Sequence, residues 1–132
     1  MSGAGILFVE DEQEILDLWI PILRQAGYEA TPAVNADIAL ILLEQGLPFR
    51  LLLTDVVLPG RLDGFALARH AKELRPQIEI IYATGFPLVA GIRSRGAPWG
   101  KTLVKPYRRA DLLKVVESVM VPSTPESSTT AQ

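Results

Sequence analysis

Five charged or hydroxyl side chains stand at the ends of apolar stretches in this 132-residue chain. They are Glu10, Asp11, Asp55, Thr84 and Lys105. Short continuous apolar runs are typical of strands buried on both faces of a parallel sheet. In an open sheet of this kind the carboxyl ends of the strands share one edge, where ligands bind. The sequence therefore predicts that these five side chains converge at that edge.

This combination of side chains is suited to phosphoryl chemistry at a divalent cation. Carboxylates brought close together repel one another, and their pKa values rise unless a cation joins them. An all-oxygen cluster of Asp and Glu suits Mg²⁺, while Lys105 and Thr84 suit phosphate oxygens. Asp55, as a carboxylate nucleophile, would form an aspartyl phosphate. The rigid strand before Asp55 would present it, and the following turn would leave it exposed to metal and donor.

Strand and helix patterns alternate along the chain. The predicted strands cover residues 5–10, 28–33, 49–54, 78–83 and 101–104. Helical spacing of apolar residues predicts helices over 15–26, 36–45, 67–74 and 112–119. The segment 84–100 is ambiguous, since prolines and glycines interrupt it. The alternation predicts an α/β domain whose parallel sheet is covered by helices on both faces.

The first predicted helix carries several large apolar residues. Those at helical spacing are Ile15, Leu18, Trp19, Ile22 and Ala26. Gly27 would close the helix as a C-cap, and Pro21 would remove one helical hydrogen bond and kink it. Asn35 is the predicted N-cap of the second helix.

Composition limits the class of protein. The 13 basic and 15 acidic residues nearly balance, which argues against direct nucleic-acid binding. There is no cysteine for a disulfide or a thiolate metal site, no apolar run of membrane-spanning length and no signal-peptide pattern. We expect a cytoplasmic protein without membrane contact, made of one domain over 1–121 and a disordered tail over 122–132.

The chain resembles the receiver domain of bacterial response regulators in two-component signalling, over about residues 5 to 120. The matching motifs are FVEDE with Glu10 and Asp11, LLTDVVLPG with Asp55, LDGF with Asp63 and Gly64, YATG with Thr84, and VKPY with Lys105 and Pro106. The resemblance implies the flavodoxin-like receiver fold, a five-stranded parallel sheet in the order 2-1-3-4-5. YATGFP is similar to a stand-alone receiver subfamily, and LVKPYRRADLL is similar to receivers of hybrid histidine kinases.

The resemblance also implies roles for individual residues. Asp55 would accept a phosphoryl group from a histidine kinase or a histidine phosphotransfer protein. Asp11, Asp55 and the backbone carbonyl of Val57 would bind Mg²⁺, and Glu10 would act through a coordinated water. Thr84 and Lys105 would hold phosphate oxygens and move when phosphate arrives. The expected output is binding to a downstream protein partner. One expected assembly is a homodimer, whose interface would be formed by a fourth helix within segment 84–100 and by the fifth strand.

Two features at the predicted site lead to separate hypotheses. Many receivers have Tyr or Phe three residues before the lysine, where this chain has Thr102, so Tyr82, Phe86 or Trp99 would have to replace that aromatic switch. Val57 and Phe86 stand two residues after Asp55 and Thr84, and we expect them to restrict attacking water and slow autodephosphorylation.

Three rival functions fit the same fold class. An aspartate-nucleophile phosphatase or mutase would need an acid two residues after the nucleophile, where this chain has Val57. A flavin-binding electron carrier would need a phosphate-cradling loop after the first strand, where this chain has acids. A degenerate receiver would serve only as a binding scaffold, and the full set of acids, threonine and lysine argues against it. We therefore expect a regulatory protein that catalyses only its own phosphoryl transfer and autodephosphorylation.

Overall fold

The computed structural model of this chain describes residues 5–85 and 100–120. Within these ranges it contains five strands and four helices, which alternate along the chain as far as the fourth strand. The strands are β1 (Gly5–Val9), β2 (Glu29–Ala33), β3 (Phe49–Asp55), β4 (Glu79–Thr84) and β5 (Lys101–Val104). The helices are α1 (Gln13–Gln25), α2 (Ala36–Glu44), α3 (Gly64–Leu74) and α4 (Arg109–Met120).

All strand pairs are parallel, and the strand order is β2-β1-β3-β4-β5. This confirms the predicted fold class and strand order. The three central strands are almost entirely buried, as their continuous apolar sequences predict. β2 lies at the edge of the sheet and pairs with β1 on one side only. Pro32, which has no N–H to donate, is therefore tolerated there.

The helices cover both faces of the sheet and divide the core into two clusters. Residues of α2 and α3 pack on one face, around Leu52, Ile80 and Tyr82. Residues of α1 and α4 pack on the other face, around Phe8 and Leu53. Side chains of a strand alternate between the two faces, so neighbouring residues of β3 and β4 enter different clusters.

Local signals explain several helix boundaries. The Asn35 side chain accepts a 2.8 Å hydrogen bond from the Ile38 N–H, which confirms the predicted N-cap of α2. The C-cap of α1 is Ala26, one residue before the predicted Gly27. Gly27 follows it with a φ of +100°, a conformation that glycine adopts without a steric penalty. α1 continues through Pro21 as a single helix.

The spacing that predicts α1 does not mark its buried face. The fully packed residues of α1 are Leu16, Ile20 and Leu23, whereas Leu18 is 55% exposed. α1 has more apolar residues than its core-facing side holds, so two overlapping sets of them show helical spacing. The residues whose spacing predicts the helix lie on its less buried side, and three of them, Ile15, Leu18 and Trp19, line a surface groove described below.

Two predictions concern residues outside the described ranges. The ambiguous segment 84–100 is described only at its ends, and residues 122–132 are not described. Among the helices in 5–85 and 100–120, none has the length and apolar character needed to cross a membrane.

Candidate functional site

Four adjacent strands bring the predicted residues to one edge of the sheet. β1, β3, β4 and β5 are consecutive in the strand order, so the residues at their carboxyl ends are neighbours in space. Together with the loops that follow, these ends form a pocket of about 200 Å³. Its lining consists of Glu10, Asp11, Glu12, Asp55, Val57, Ala83, Thr84, Gly85 and Lys105.

Lys105 lies between two buried carboxylates. Its Nζ atom is 2.7 Å from Asp55 Oδ1 and 3.1 Å from Glu10 Oε1. The second oxygen of Glu10 accepts a 3.1 Å hydrogen bond from the backbone N–H of Glu12. Glu10 is only 1% exposed, so both of its oxygens are held from the protein side. Glu10 thus fixes the position of the lysine that contacts Asp55.

Asp55 is less accessible than the sequence suggests. The prediction that the turn leaves it exposed was wrong, because the residue is only 4% exposed. Its carboxylate forms part of the wall of the pocket, with Lys105 close beside it, so solvent and ligands reach it through the pocket. The turn after β3 does not uncover the carboxylate because neighbouring strand ends enclose it.

The crowding of charge changes the acidity of the site. Burial raises the pKa of Asp55 to about 7; the hydrogen bond from Lys105 opposes this shift, and the Glu10 charge adds to it. Burial alone would lower the pKa of Lys105, but its contacts with Asp55 and Glu10 outweigh burial and raise that pKa. The lysine therefore stays protonated beside an aspartate whose charge is costly without a further cation.

The donor set fits a small divalent cation. One carboxylate oxygen each from Glu10, Asp11 and Asp55 can be chosen so that all three lie within 4.8 Å of one another. Asp11 is exposed while the other two residues are buried, so the cluster opens toward solvent on one side. Oxygen-only sites that leave room for water match the preference of Mg²⁺.

Glycine is required where α3 meets the end of β3. A Cβ on Gly64 would overlap the carbonyl oxygen of Asp55. The Gly64 N–H donates a 2.8 Å hydrogen bond to the Val56 carbonyl, and the Asp63 side chain caps the helix by accepting from the Ala66 N–H at 2.9 Å. The pair Asp63-Gly64 thus starts α3 against the backbone at the end of β3 and holds Asp55 in place.

An apolar groove adjoins the pocket and shares Lys105 with it. The groove has a volume of about 480 Å³. Its lining consists of Ile15, Leu18, Trp19, Lys105, Pro106 and Tyr107. The Trp19 and Tyr107 rings lie 5.0 Å apart at an interplanar angle of 37°, so the α1 side and the loop after β5 are joined by an aromatic contact. We refer to these six residues as the α1 groove.

Comparison with known proteins decides the family. The sequence pattern described as "Response regulator receiver domain" matches residues 6–117. The chain belongs to the response regulator receiver domain family. Receivers of this family are regulatory modules of two-component systems, and nothing in the comparisons points to a separate catalytic activity.

Individual relatives agree with this assignment. The response regulator receiver protein CpdR of Brucella abortus is 38% identical over 117 residues, which is 88% of this chain and 96% of CpdR. A receiver protein from Sinorhizobium medicae has a TM-score of 0.81 at 28% identity, covering 89% of this chain and 94% of that one. The receiver domain of the sensor histidine kinase PA1611 from Pseudomonas aeruginosa, solved with magnesium in its active-site cleft, has a TM-score of 0.77 at 27% identity, covering 90% of this chain and 98% of that one.

The structure of this receiver brings together Glu10, Asp11, Asp55, Thr84 and Lys105 around one pocket. Val57 lies at the rim with its side chain mostly in solvent, at 71% exposure for the residue. The remaining hypotheses on Phe86 and Trp99 concern residues outside 5–85 and 100–120. Sequence reasoning missed the second bond of Glu10, because a backbone N–H carries no residue-type signal.

Proposed function

We propose that this receiver accepts a phosphoryl group on Asp55 from a histidine kinase or a histidine phosphotransfer protein, with Mg²⁺, and then changes conformation to control a protein partner. The observation that carries the proposal is the 2.7 Å contact between Lys105 Nζ and Asp55 Oδ1 inside a pocket lined by three further acids. Phosphoryl transfer needs a nucleophile, a fixed positive charge and carboxylates that bind a metal ion.

The chain's own groups account for most of the reaction. The Asp55 carboxylate forms a bond to phosphorus as the bond between phosphorus and the donor imidazole nitrogen breaks, and the imidazole keeps that electron pair. Lys105 neutralises charge on the transferred group, and the Thr84 hydroxyl can donate to one of its oxygens. Burial of Asp55 at 4% exposure limits the water that competes for the donor.

Mg²⁺ would be held by Asp11, Asp55 and the Val57 carbonyl, with Glu10 acting through a coordinated water. When bound, the ion supplies positive charge that neutralises the carboxylates and the phosphoryl oxygens. Supporting this assignment are the three acid oxygens within 4.8 Å and the magnesium ion reported in the cleft of the PA1611 receiver.

The α1 groove would seat the phosphodonor. Apolar surface rimmed by polar residues is a common protein-binding surface, and Leu18 is exposed there without an evident role in the core. Because Lys105 lines both the groove and the pocket, a partner bound in the groove would hold its phosphohistidine beside Asp55. We therefore assign the groove to a phosphohistidine-bearing protein.

The output of this receiver and its boundaries remain predictions. We propose a receiver unit over 1–121 with a tail over 122–132, a cytoplasmic location, and a downstream partner or homodimer that uses β5 and the segment before it. A scaffold without phosphorylation would have no use for a lysine held by two buried acids, and the side chain of Val57 offers no proton for a phosphatase mechanism.

The test is an NMR titration of the ¹⁵N-labelled protein with Mg²⁺, followed by beryllium fluoride as a phosphoryl analogue. We expect amide shifts at Asp55, Thr84 and Lys105 that require both additions. Asp55→Asn is the control, since it keeps the size of the side chain and removes the nucleophile. A protein that shows no shifts at these amides, or shows the same shifts with Asp55→Asn, would refute phosphoacceptance at Asp55.

A further inference from the structure

The outer edge of β2 is a place where a further strand could extend the sheet. Among the described strands, β2 pairs with β1 only, and an edge of this kind offers its outward backbone groups to any extended chain that reaches it. The Glu10 N–H donates to the Ala33 carbonyl oxygen, so the backbone groups of Ala33 point toward β1. Because these groups alternate in direction along a strand, those of Ala30 and Pro32 point outward.

The acceptor at the middle of this edge is already in use. The Arg24 guanidinium, in the last turn of α1, donates two hydrogen bonds to the Ala30 carbonyl oxygen, at 2.8 Å from Nη2 and at 3.2 Å from Nε. A carbonyl oxygen has two lone pairs, and the fork of the guanidinium occupies both. A strand added at this edge would have to displace Arg24 before it could donate to Ala30.

The donors along the same edge are missing or in use. Pro32 has no backbone N–H, so the outward position after Ala30 cannot donate. Tyr28, two residues before Ala30, donates its N–H at 3.2 Å to the Leu23 carbonyl oxygen of α1. Three successive alternate positions, at residues 28, 30 and 32, thus each lack a group that a hydrogen-bonded ladder would use.

This edge is reachable from solvent. Pro32 and Arg24 are both exposed, and a surface hollow of about 240 Å³ between α1 and β2 is lined in part by Pro21, Arg24 and Pro32. An extended chain can therefore approach β2, and the protection of the edge depends on Arg24 and Pro32 themselves. Proline and long charged side chains are residues that natural proteins use to protect exposed strands.

We propose that Arg24 and Pro32 close the β2 edge to strand pairing, above all with β2 of a second copy of this chain. Two copies related by a twofold axis present the same surface to each other, so their β2 strands would meet antiparallel. The acceptor used by Arg24 and the donor absent at Pro32 are then lost from both strands of the pair. The closed edge directs any self-assembly of this receiver to other surfaces. This inference does not depend on phosphorylation.

The test is the molar mass in solution of the double variant Arg24→Met, Pro32→Thr, measured by light scattering after size exclusion over a range of protein concentrations. The variant frees the Ala30 carbonyl and restores an outward N–H at position 32. We expect its molar mass to rise with concentration toward twice that of the wild type.

Arg61→Met, Pro76→Thr is the matched control. It makes the same two chemical changes at exposed positions before and after α3, away from the β2 edge. Its molar mass should follow that of the wild type at every concentration. A rise as large as that of the first variant would mean that lost charge and added apolar surface drive association, and would overturn the inference.

Amide hydrogen exchange identifies the surface that pairs. The amide that Pro32→Thr introduces should exchange more slowly as the concentration of the double variant rises. A folded double variant that keeps the wild-type mass at every concentration, or that associates without protecting this amide, would overturn the inference and leave the proposed function intact.

Pro32→Thr alone provides a second variant if the double variant does not fold. It keeps the Arg24 contact and should show the same rise in molar mass to a smaller extent. A wild-type mass at every concentration would contradict the proposal. So would an Ala30 amide in the wild type that becomes protected as concentration rises, because it would show that the native edge already pairs.

Discussion

Lys105 separates two surfaces of opposite character. On one side is the pocket that contains Asp55, about 200 Å³ in volume and lined mainly by acids, Thr84 and Lys105. On the other side is the α1 groove, about 480 Å³ in volume and lined mainly by apolar and aromatic side chains. The pocket holds charge that burial makes costly, whereas the groove holds apolar area that folding leaves uncovered. The two surfaces should therefore respond to different changes, the pocket to charge and the groove to apolar contact.

The largest expected effect is the removal of the shared cation from the pocket. Lys105→Met keeps the apolar stem but leaves Asp55 and Glu10 buried without their partner. Breaking a buried ion pair from one side costs about 3–5 kcal/mol, and we expect a loss in that range in the free energy of unfolding, measured by urea denaturation without metal.

Lys101→Met is the matched control, on the exposed start of the same strand. It should change the free energy of unfolding by no more than about 0.5 kcal/mol. A Lys105→Met protein as stable as this control would contradict the view that the Lys105 charge stabilises the buried acids of the pocket.

Asp55→Asn is expected to raise the free energy of unfolding, by less than Lys105→Met lowers it. The raised pKa of Asp55, about 7 from an ordinary 3.8, means that the folded state holds a proton more tightly than the unfolded state. Stability should then fall as pH rises from about 4 to about 7, and Asp55→Asn should recover on the order of 1–3 kcal/mol at pH 8 without metal.

Thermal unfolding of the wild type and Asp55→Asn at pH 4 and pH 8 checks this sign. The extra stability of Asp55→Asn over the wild type should shrink at pH 4, where Asp55 is protonated. At pH 8, Mg²⁺ should stabilise the wild type more than the variant. A gain that is equal at both pH values would show that Asp55→Asn acts through packing and not through charge.

The groove should matter only for a protein donor. Leu18→Lys puts a charge on the exposed part of the groove, and we expect about tenfold slower phosphorylation by a phosphorylated histidine phosphotransfer protein, equivalent to about 1.4 kcal/mol. Labelling by acetyl phosphate should not change, because that small donor does not need the groove.

Ile41→Lys is a matched control for Leu18→Lys. Ile41 is 54% exposed and Leu18 is 55% exposed, and Ile41 lies on α2, on the other face of the sheet. Transfer rates that fall equally in both variants, or only with Ile41→Lys, would contradict the assignment of the groove as the binding site of the phosphodonor protein.

The smallest effect is expected at the rim of the pocket. Val57 is 71% exposed, and as an apolar neighbour of Asp55 it should hinder the water that hydrolyses the aspartyl phosphate. Val57→Asn should speed autodephosphorylation a few-fold, followed as loss of phosphorylated protein by intact mass. A phosphoryl half-life of seconds in the wild type would already contradict this role.

The sequence predicts the pocket better than the groove, for a physical reason. Strand ends of a parallel sheet share one edge, so Glu10, Asp55, Thr84 and Lys105 could be brought together from strand order and residue type alone. What folding adds there is enclosure: the burial of Asp55 depends on how neighbouring strand ends and Lys105 close around it. The Glu10 contact with a backbone N–H could not be predicted from residue types either, because every residue other than proline has that group.

The sequence did not predict the groove, because helical spacing alone does not say which apolar stripe of a helix faces the core. α1 has two overlapping apolar stripes, and Leu16, Ile20 and Leu23 are the ones that the sheet covers. The residues first assigned from spacing include Ile15, Leu18 and Trp19, which line the groove. An apolar surplus on a helix can thus indicate a binding surface, once the structure shows which stripe is covered.

The most direct test of phosphoacceptance is intact-mass and peptide analysis after incubation with acetyl phosphate and Mg²⁺. The account predicts the addition of one phosphoryl group, carried by the peptide that contains Asp55, absent without Mg²⁺ and absent with Asp55→Asn. Addition that maps to another residue, or that persists in Asp55→Asn, would contradict the assignment of Asp55 as the phosphoacceptor.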